Sequence, residues 1–425
     1  MIKESEYKLR REKLALSLEN NSIAIIVSAK PKIRSNDTEY PYRQNSNFYY
    51  LTGLREDNSL LILRKGKRTV ESTLFVQKRD KTQELWSGKR LGQKGAKKSF
   101  KHDNVFTIDL YEEKFLEYTK KSKNLYYDFG VSDEKIAFAR DKSKKLSKHY
   151  NIATLVEQAR LIKSPAEIAL IKKAISITAD AHHYAFQAAK KFRYEYEIQA
   201  GVESIFKHAG AYSDAYTTIV ASGNNANTLH YITNSKKLSQ EKLILMDAGC
   251  EYKYYASDIT RTFPVSGKFT KAQRELYSLV LDVEKRIITM VRPGVLRSSL
   301  QKKAEELLCA GLIRLGILSG ELKKLLKKDA HKKYYPHGIG HWMGIDVHDE
   351  APYRDESGKE IPLMAGMVLT IEPGLYIDKC AKAAPKCYRG MGIRIEDDIL
   401  VTEDGYENLS VAIAKEIDAI EEIAS

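Results

Sequence analysis

The sequence has few cysteines and no apolar segment long enough to cross a membrane. Four cysteines in 425 residues cannot form the disulfide scaffold of a secreted protein, so a reducing, cytoplasmic location is expected. The most apolar stretches, such as residues 23–27 and 60–63, have only the length of strands. Residues 1–20 carry charges throughout, so neither a signal peptide nor a membrane partner is expected.

The charge is strongly one-sided. Lys and Arg number 70 against 56 Asp and Glu, which gives a formal net charge of +14. A basic balance can indicate nucleic-acid binding, but here the lysines form scattered short runs. The sequence contains no RNP-type aromatic motif, zinc-finger spacing or helix-turn-helix signal. A solvated, lysine-rich surface is therefore expected, with no nucleic-acid partner.

The length predicts two domains. Residues 22–28, 59–64 and 72–77 read as strands among helical segments, and residues 139–159 read as helical, which indicates a mixed α/β N-terminal domain. Ser164, Pro165 and Glu167 form a helix-start signal with a capping box. We therefore predict domains at residues 1–165 and 166–425.

The second domain alternates helical and strand patterns. Helices are expected at residues 184–192, 195–208, 271–290 and 298–315, and strands at residues 217–221, 243–248, 259–265, 367–372 and 392–402. The overall fold class is α/β (α+β).

Acidic residues interrupt these apolar strands in an unusual way. Asp247 ends one strand, and Asp258 opens the next, so the two could face each other across a hairpin-like pair. A buried pair of like charges is costly unless a cation lies between them. Glu372 also ends an apolar strand, and Glu396 shares a strand face with Arg394.

A histidine-containing loop lies between these blocks. His337 and His341 stand in the segment His-Gly-Ile-Gly-His, and His348 follows. The two glycines disfavour the helical His-Glu-x-x-His arrangement of zinc proteases. Each residue alone has an ordinary structural explanation, but four carboxylates and an imidazole together favour a site for two Mn²⁺, Mg²⁺ or similar ions.

The blocks at residues 246–249, 257–262, 337–344, 371–374 and 392–397 resemble the signature of the pita-bread metallopeptidases. Within that superfamily the chain resembles Xaa-Pro aminopeptidase (aminopeptidase P) more than methionine aminopeptidase. The resemblance extends over nearly the whole chain and includes residues 40–45 and 86–92. It implies an N-terminal aminopeptidase P-type domain, used for oligomerisation and access to the site, followed by a C-terminal pita-bread catalytic domain.

The resemblance also implies the roles of individual residues. Asp258 and Glu396 would bridge two metal ions, expected to be Mn²⁺, Asp247 would hold one ion, and His341 with Glu372 would hold the other. Histidines expected to line the substrate site and steady the reacting carbonyl are His230, His337 and His348. Arg394 and Tyr376 would form a hydrogen-bond network that orients Asp247. Gly340 and Met343 depart from the family pattern, which has serine and leucine there.

The implied reaction is hydrolysis of the first peptide bond of peptides with proline in the second position. A metal-activated hydroxide would attack, Glu372 would shuttle the proton, and His230 or His348 would stabilise the oxyanion. Trp86 either packs at a half-exposed surface position or, as the resemblance implies, reaches a neighbouring subunit's site in a homodimer or homotetramer. Cys380 and Cys387 are expected to be free surface thiols.

Three alternatives remain. A prolidase would share the fold and the ligands but cut Xaa-Pro dipeptides. A binding module on the same fold would usually have lost ligands, and all five positions are filled here. A creatinase-like amidinohydrolase would not keep the full carboxylate set.

Overall fold

The structure, a computed structural model, describes residues 2–425 of the chain. It divides into a unit that ends at Arg160 and a second unit that begins at Leu161. The boundary expected near residue 165 lies close to this division, and the roles expected of the two domains stay predictions. Among residues 2–425, no helix is both long and apolar enough to span a bilayer.

A mixed six-stranded sheet forms the centre of the N-terminal unit, in the order β6-β5-β4-β1-β7-β8. Its strands, together with a separate two-stranded hairpin (β2, β3), are β1 Ser22–Val27, β2 Ile33–Ser35, β3 Thr38–Glu39, β4 Leu60–Lys65, β5 Val70–Val76, β6 Asn104–Thr107, β7 Asn124–Tyr127 and β8 Lys148–Asn151. The helices are α1 Glu4–Ser17, α2 Ser46–Thr52, α3 Lys81–Ser87, α4 Gly92–Ser99, α5 Tyr111–Thr119, α6 Glu134–Lys142 and α7 Ala153–Leu161.

The three strands expected in this unit are confirmed as β1, β4 and β5. The helical reading of residues 139–159 is wrong in part, because β8 lies between α6 and α7 and pairs in parallel with β7. β8 is a largely exposed edge strand. It therefore lacks the apolar alternation by which a strand is recognised in sequence.

The C-terminal unit surrounds its strands with helices. The helices are α8 Pro165–Ala188, α9 Glu195–His208, α10 Lys271–Ile288, α11 Arg297–Arg314, α12 Leu322–Lys327 and α13 Ile417–Ile423. The strands are β9 Ser213–Asp214, β10 Ile219–Ser222, β11 Leu243–Asp247, β12 Cys250–Tyr252, β13 Tyr255–Ala256, β14 Thr260–Pro264, β15 Val368–Ile371, β16 Gly374–Ile377, β17 Met391–Arg394, β18 Asp397–Val401 and β19 Tyr406–Asn408.

Small antiparallel sheets carry the ends of these strands towards one another. They have the orders β10-β11-β14, β13-β12-β9, β15-β18-β19 and β16-β17. β11, β14, β15 and β18 are buried along their whole length, which explains the mainly apolar sequences of β11 and β15. β14 and β18 also bury polar residues, among them Arg261 and Asp397, which form an ion pair. Side chains from α8, α10 and α11 pack with those of β11 and β15 in one hydrophobic core.

Of three sequence predictions for this unit, one is confirmed and two are wrong. The capping box of Ser164 and Glu167, with Pro165 in the first turn, is confirmed at the start of α8. The separate helix at residues 184–192 is wrong, because α8 continues without a break to Ala188. The single strand at residues 392–402 is wrong as well, because β17 ends at Arg394 and β18 begins at Asp397.

Candidate metal centre

Three buried carboxylates meet where β11, β14, β17 and β18 end or begin. Asp247 is the last residue of β11 and lies opposite Thr260 of β14. Asp258 precedes β14 by two residues, so it does not face Asp247 across the ladder as the sequence suggested. Glu396 occupies the break between β17 and β18. Ligand oxygens of Asp247, Asp258 and Glu396 nevertheless all lie within 4.8 Å of one another.

A second group of ligand atoms adjoins the first. His341, Glu372 and Glu396 offer atoms that also lie within 4.8 Å of one another. The His341 Nε2 atom is 3.2 Å from Asp258 Oδ2 and 3.7 Å from Glu372 Oε1. Glu396 thus belongs to both groups, and Asp258 contacts both.

The loop that carries His341 is fixed against β15. The main-chain N–H of Thr370 donates to the His341 carbonyl at 2.9 Å, and the His341 N–H donates to Thr370 Oγ1 at 3.1 Å. The approach is so close that a Cβ atom on Gly340 would lie 1.9 Å from the Thr370 carbonyl oxygen. Any side chain at this position would therefore require the loop or β15 to shift.

The donor set fits a pair of hard divalent cations. Burial, followed by the charges of Asp258, Glu372 and Asp247, raises the pKa of Glu396 well above its usual range. Burial also raises the pKa of Glu372 to about 7, although His341 and Arg394 oppose the shift. Such shifts express repulsion among crowded buried carboxylates, and cations among these oxygens would relieve it. Oxygen-rich ligands suit Mn²⁺ or Mg²⁺ more than a thiolate-bound structural zinc.

His341 is oriented as a ligand should be. Its Nδ1–H donates to the Trp342 carbonyl at 3.0 Å, which leaves Nε2 directed at Asp258 and Glu372. Burial disfavours its charged form, but the hydrogen bond and charge of Asp258 and the charge of Glu372 prevail and raise its pKa to about 9. A carbonyl partner on the far nitrogen is the usual arrangement for a metal-binding histidine.

Arg394 connects the carboxylates to the surrounding hydroxyls. Its Nη2 donates to Asp247 Oδ2 at 2.6 Å, its Nη1 to the Tyr376 hydroxyl at 3.0 Å and its Nε to Thr260 Oγ1 at 3.0 Å. The Thr260 hydroxyl in turn donates to Glu396 Oε2 at 2.6 Å. One buried guanidinium therefore orients two of the proposed ligands.

The same network reaches His337. The Tyr376 hydroxyl accepts from Arg394, so it donates to His337 Nε2 at 2.8 Å, and His337 Nδ1–H donates to the Gly338 carbonyl at 2.8 Å. Burial and the nearby Arg394 charge lower the pKa of His337 to about 4. His337 is therefore a neutral imidazole with both nitrogens occupied.

Two contributors were missed at the level of sequence. Tyr216 donates from its hydroxyl to Asp247 Oδ1 at 2.5 Å, on the side opposite Arg394. It lies between β9 and β10, and no motif marks it. Tyr353 lines the cavity and stacks on Trp342, with ring centroids 5.4 Å apart. Its position nine residues after Gly344 carries no recognisable signal.

The ligands face a cavity of about 380 Å³. Besides Tyr353 and the groups already described, His230 and His348 line it, together with Leu229. The rings of His348 and His341 meet edge-on, with centroids 4.2 Å apart. Burial and then the His341 charge lower the pKa of His348.

Most of the residues proposed from sequence therefore come together at this cavity. Tyr376 does not line the cavity, but its hydroxyl hydrogen-bonds to Arg394 and His337, which do. Trp86 lies on α3 of the N-terminal unit with 84% of its surface exposed, and its expected role stays a prediction. Cys380 and Cys387 are exposed and unpaired, whereas Cys250 and Cys309 are buried and unpaired.

Comparison with family models gives one match in each part of the chain. Residues 169–403 match the model described as metallopeptidase family M24. Residues 7–127 match the model described as the aminopeptidase P N-terminal domain.

Curated proteins and solved structures agree with these matches. The chain is 39% identical to Xaa-Pro aminopeptidase of Escherichia coli, covering 99% of this chain and 97% of that protein. It is 35% identical to Xaa-Pro aminopeptidase 3 of Homo sapiens, covering 100% of this chain and 86% of that protein. A low-pH form of Escherichia coli aminopeptidase P superposes with a TM-score of 0.96 at 38% identity, covering 100% of this chain and 98% of that one. The Zn-substituted Escherichia coli enzyme in complex with product gives a TM-score of 0.94 at 39% identity, with the same coverage of both chains. The expected combination of an N-terminal α/β domain with a pita-bread domain is thereby confirmed.

Proposed function

Since the chain belongs to metallopeptidase family M24 and carries the aminopeptidase P N-terminal domain, we propose that it is a Xaa-Pro aminopeptidase. It removes the first residue from peptides that have proline in the second position. The observation that carries the proposal is the filled set of four carboxylates and one imidazole at a cavity of peptide-binding size.

The ligand assignment is the one that the family resemblance implies, and the adjoining groups of donor atoms support it. Asp258 and Glu396 are proposed to hold both cations, Asp247 one of them, and His341 with Glu372 the other. We propose Mn²⁺ as the physiological ion, because the donors are mainly hard oxygens. When bound, two such ions supply a water of lowered pKa and positive charge for the developing oxyanion.

Glu372 is the proposed proton carrier. Its Oε1 accepts from Thr370 Oγ1 at 3.3 Å, and its Oε2 lies 3.7 Å from His337 Nδ1. From this position its carboxylate can take up a proton from the attacking water and give it to the departing amine.

The cavity histidines are proposed to hold the substrate. His230 and His348 line the cavity beside the ligands, where an N–H of either ring could donate to the reacting carbonyl. His337 is held neutral by burial, and Tyr376 fixes its orientation. Arg394 binds Asp247, which opposes protonation of that carboxylate and holds it in place.

The proline requirement has a chemical basis. A bond to the proline nitrogen is a tertiary amide with no N–H, which general peptidases that need this donor handle poorly. A dedicated enzyme with a cavity shaped for the ring is the expected solution.

Hydrolysis of three peptides tests the proposal. Metal-stripped protein is assayed with Arg-Pro-Pro, Ala-Pro and Arg-Ala-Ala, with and without added Mn²⁺. Release of free arginine from Arg-Pro-Pro, only with metal, is the expected result. Cleavage of Ala-Pro alone would instead identify a prolidase, and silence on all three would identify a binding protein.

The assembly and location are proposed from an exposed tryptophan and from the cysteines. The exposed Trp86 on α3 suits an interface in a homodimer or homotetramer, in which it would reach a neighbouring subunit's site. Four unpaired cysteines suit a reducing cytoplasm. We also keep the division of labour between residues 1–165, for assembly and access, and residues 166–425, for catalysis.

A further inference from the structure

Glu195 is a buried carboxylate with an unusual set of partners. It begins α9 and is fully shielded from solvent. Its Oε1 accepts from the Ser222 N–H at 2.7 Å, the Ser222 hydroxyl at 2.7 Å and Asn225 Nδ2 at 3.1 Å. Its Oε2 accepts from the Tyr231 hydroxyl and from the Lys236 N–H, both at 2.8 Å. All five donors are uncharged groups.

These partners lie on both sides of His230. Ser222 and Asn225 precede it, whereas Tyr231 and Lys236 follow it, so one carboxylate joins the two ends of the segment at residues 222–236. The Glu195 N–H completes the link by donating to the Lys236 carbonyl at 3.0 Å. The loop between β10 and β11 is therefore closed at its base on the first turn of α9.

A second contact from the same helix supports the loop one turn later. Asn234 Nδ2 donates to Gln199 Oε1 at 2.8 Å, and Asn234 Oδ1 accepts from the Val220 N–H at 2.9 Å. Asn234 has a left-handed backbone with φ of 47°, a conformation that asparagine tolerates better than most residues. The loop is thus held by side chains at defined positions of α9.

Tyr231 and His230 have opposite surroundings. Tyr231 is half-buried and reaches the shielded Glu195 through its hydroxyl, whereas its neighbour His230 is exposed and lines the cavity. We propose that Glu195, acting through Tyr231, is a positioning residue that sets the orientation of His230 towards the substrate. This inference rests on the proposed function.

The arrangement needs both carboxylate oxygens of Glu195. A carboxylate offers acceptor sites on both oxygens, and each oxygen here receives a main-chain N–H. Glutamine has only one oxygen, so in either orientation its amide nitrogen would face one of these N–H groups. Glu195→Gln therefore cannot preserve both ends of the link.

The primary variant is Tyr231→Phe, which removes one hydroxyl and keeps the ring. Its matched control is Tyr388→Phe, because the Tyr388 hydroxyl also donates to a glutamate, Glu275, at 2.6 Å, but does not line the cavity. The variants are assayed with Arg-Pro-Pro in the Mn²⁺-loaded full chain, in the wild-type background and in a His230→Ala background. Glu195→Gln is assayed in the same two backgrounds, and binding of the dipeptide Pro-Leu is measured for every variant in both.

We expect Tyr231→Phe to lower kcat/KM about tenfold in the wild-type background and less than twofold when His230 is already absent. The affinity for Pro-Leu should follow the same pattern, whereas Tyr388→Phe should change neither quantity more than twofold. Glu195→Gln should lower kcat/KM more than Tyr231→Phe does. This loss should also be smaller when His230 is already absent.

Two results would overturn the inference. Equal losses in both backgrounds would mean that Tyr231 acts independently of His230, and full activity of Tyr231→Phe would mean that it does not act at all. In either case wild-type cleavage of Arg-Pro-Pro would leave the proposed function standing. A wild type that cleaves none of the proline peptides would reject the proposed function itself.

Discussion

The Asp247 carboxylate receives one hydrogen bond from a tyrosine and another from an arginine. Tyr216 binds Oδ1 and Arg394 binds Oδ2, so the orientation of the carboxylate is fixed from two sides. Burial and the charge of Asp258 raise its pKa, and Arg394 opposes them. At the scale of single residues, the groups behind the ligands therefore decide how well the ligands are presented.

Arg394→Lys tests this conclusion. A lysine ammonium cannot serve Asp247, Tyr376 and Thr260 together, because it lacks the planar fork of the guanidinium. We expect metal affinity, measured by calorimetric titration of stripped protein with Mn²⁺, to fall about 10–100-fold. An unchanged affinity would show that Arg394 does not orient Asp247.

The proposed ligands were predictable from the sequence, whereas a residue that hydrogen-bonds to them, Tyr216, was not. The proposed ligands Asp247 and Glu372 could be found because a carboxylate at the end of an apolar strand conflicts with burial unless a cation or another partner compensates its charge. Tyr216 carries no such conflict, since a tyrosine in a loop is ordinary and only the fold brings it to Asp247. A charged residue in an apolar strand can be recognised in the sequence because its burial requires a partner. A neutral hydrogen-bond donor in a loop gives no such indication.

Gly340 gives a second test at this scale. Its Cβ position lies 1.9 Å from the Thr370 carbonyl oxygen, whereas that of Gly338 meets nothing nearer than 3.8 Å. We expect Gly340→Ala to lower stability by about 1–3 kcal/mol and to weaken metal binding through the adjacent His341. The control Gly338→Ala should change stability by less than about 0.5 kcal/mol. Thermal unfolding of both variants measures these changes in stability. Equal losses of stability in the two variants would contradict the close contact at Gly340.

At the scale of elements, a break between two strands, rather than a strand itself, positions the proposed ligand Glu396. The sequence from residue 392 to 402 reads as one strand, yet the pairing changes from β16 to β15 between Arg394 and Asp397. Glu396 lies in that gap and reaches both ligand groups. A local pattern of apolar residues cannot reveal such a change of partner strand, because pairing is a tertiary property.

The segment that follows the histidine loop is held by a buried ion pair. Lys163 Nζ lies 3.0 Å from Asp349 Oδ2, each side chain is 1% exposed, and Asp349 directly follows His348. Removing the ammonium leaves a buried carboxylate without its cation, which typically costs about 3–5 kcal/mol. We expect Lys163→Met to lower the unfolding temperature by on the order of 10 °C.

Lys172→Met is the matched control for that experiment. Lys172 pairs with Glu407, but both side chains are nearly half exposed, so the expected cost is at most about 1 kcal/mol. Similar losses in the two variants would mean that burial does not make the Lys163 pair important.

At the scale of the whole molecule, the two units could be anticipated from length and from the capping box that opens α8. The N-terminal sheet was predicted only in part, because an exposed edge strand such as β8 has no apolar pattern. The C-terminal unit was recognised more fully, because its blocks of proposed ligands are distinctive and widely separated along the chain. Its strands bring Asp247 and Glu396, 149 positions apart in the sequence, into one group of donors.

Titration of stripped protein with Mn²⁺, followed by arginine release from Arg-Pro-Pro, tests directly whether the chain is a Xaa-Pro aminopeptidase that needs two metal ions. We expect no activity without metal and full activity when two equivalents are bound per chain. Glu396→Ala should be inactive at any metal concentration. Near-normal turnover by Glu396→Ala, or by the metal-free wild type, would contradict this expectation.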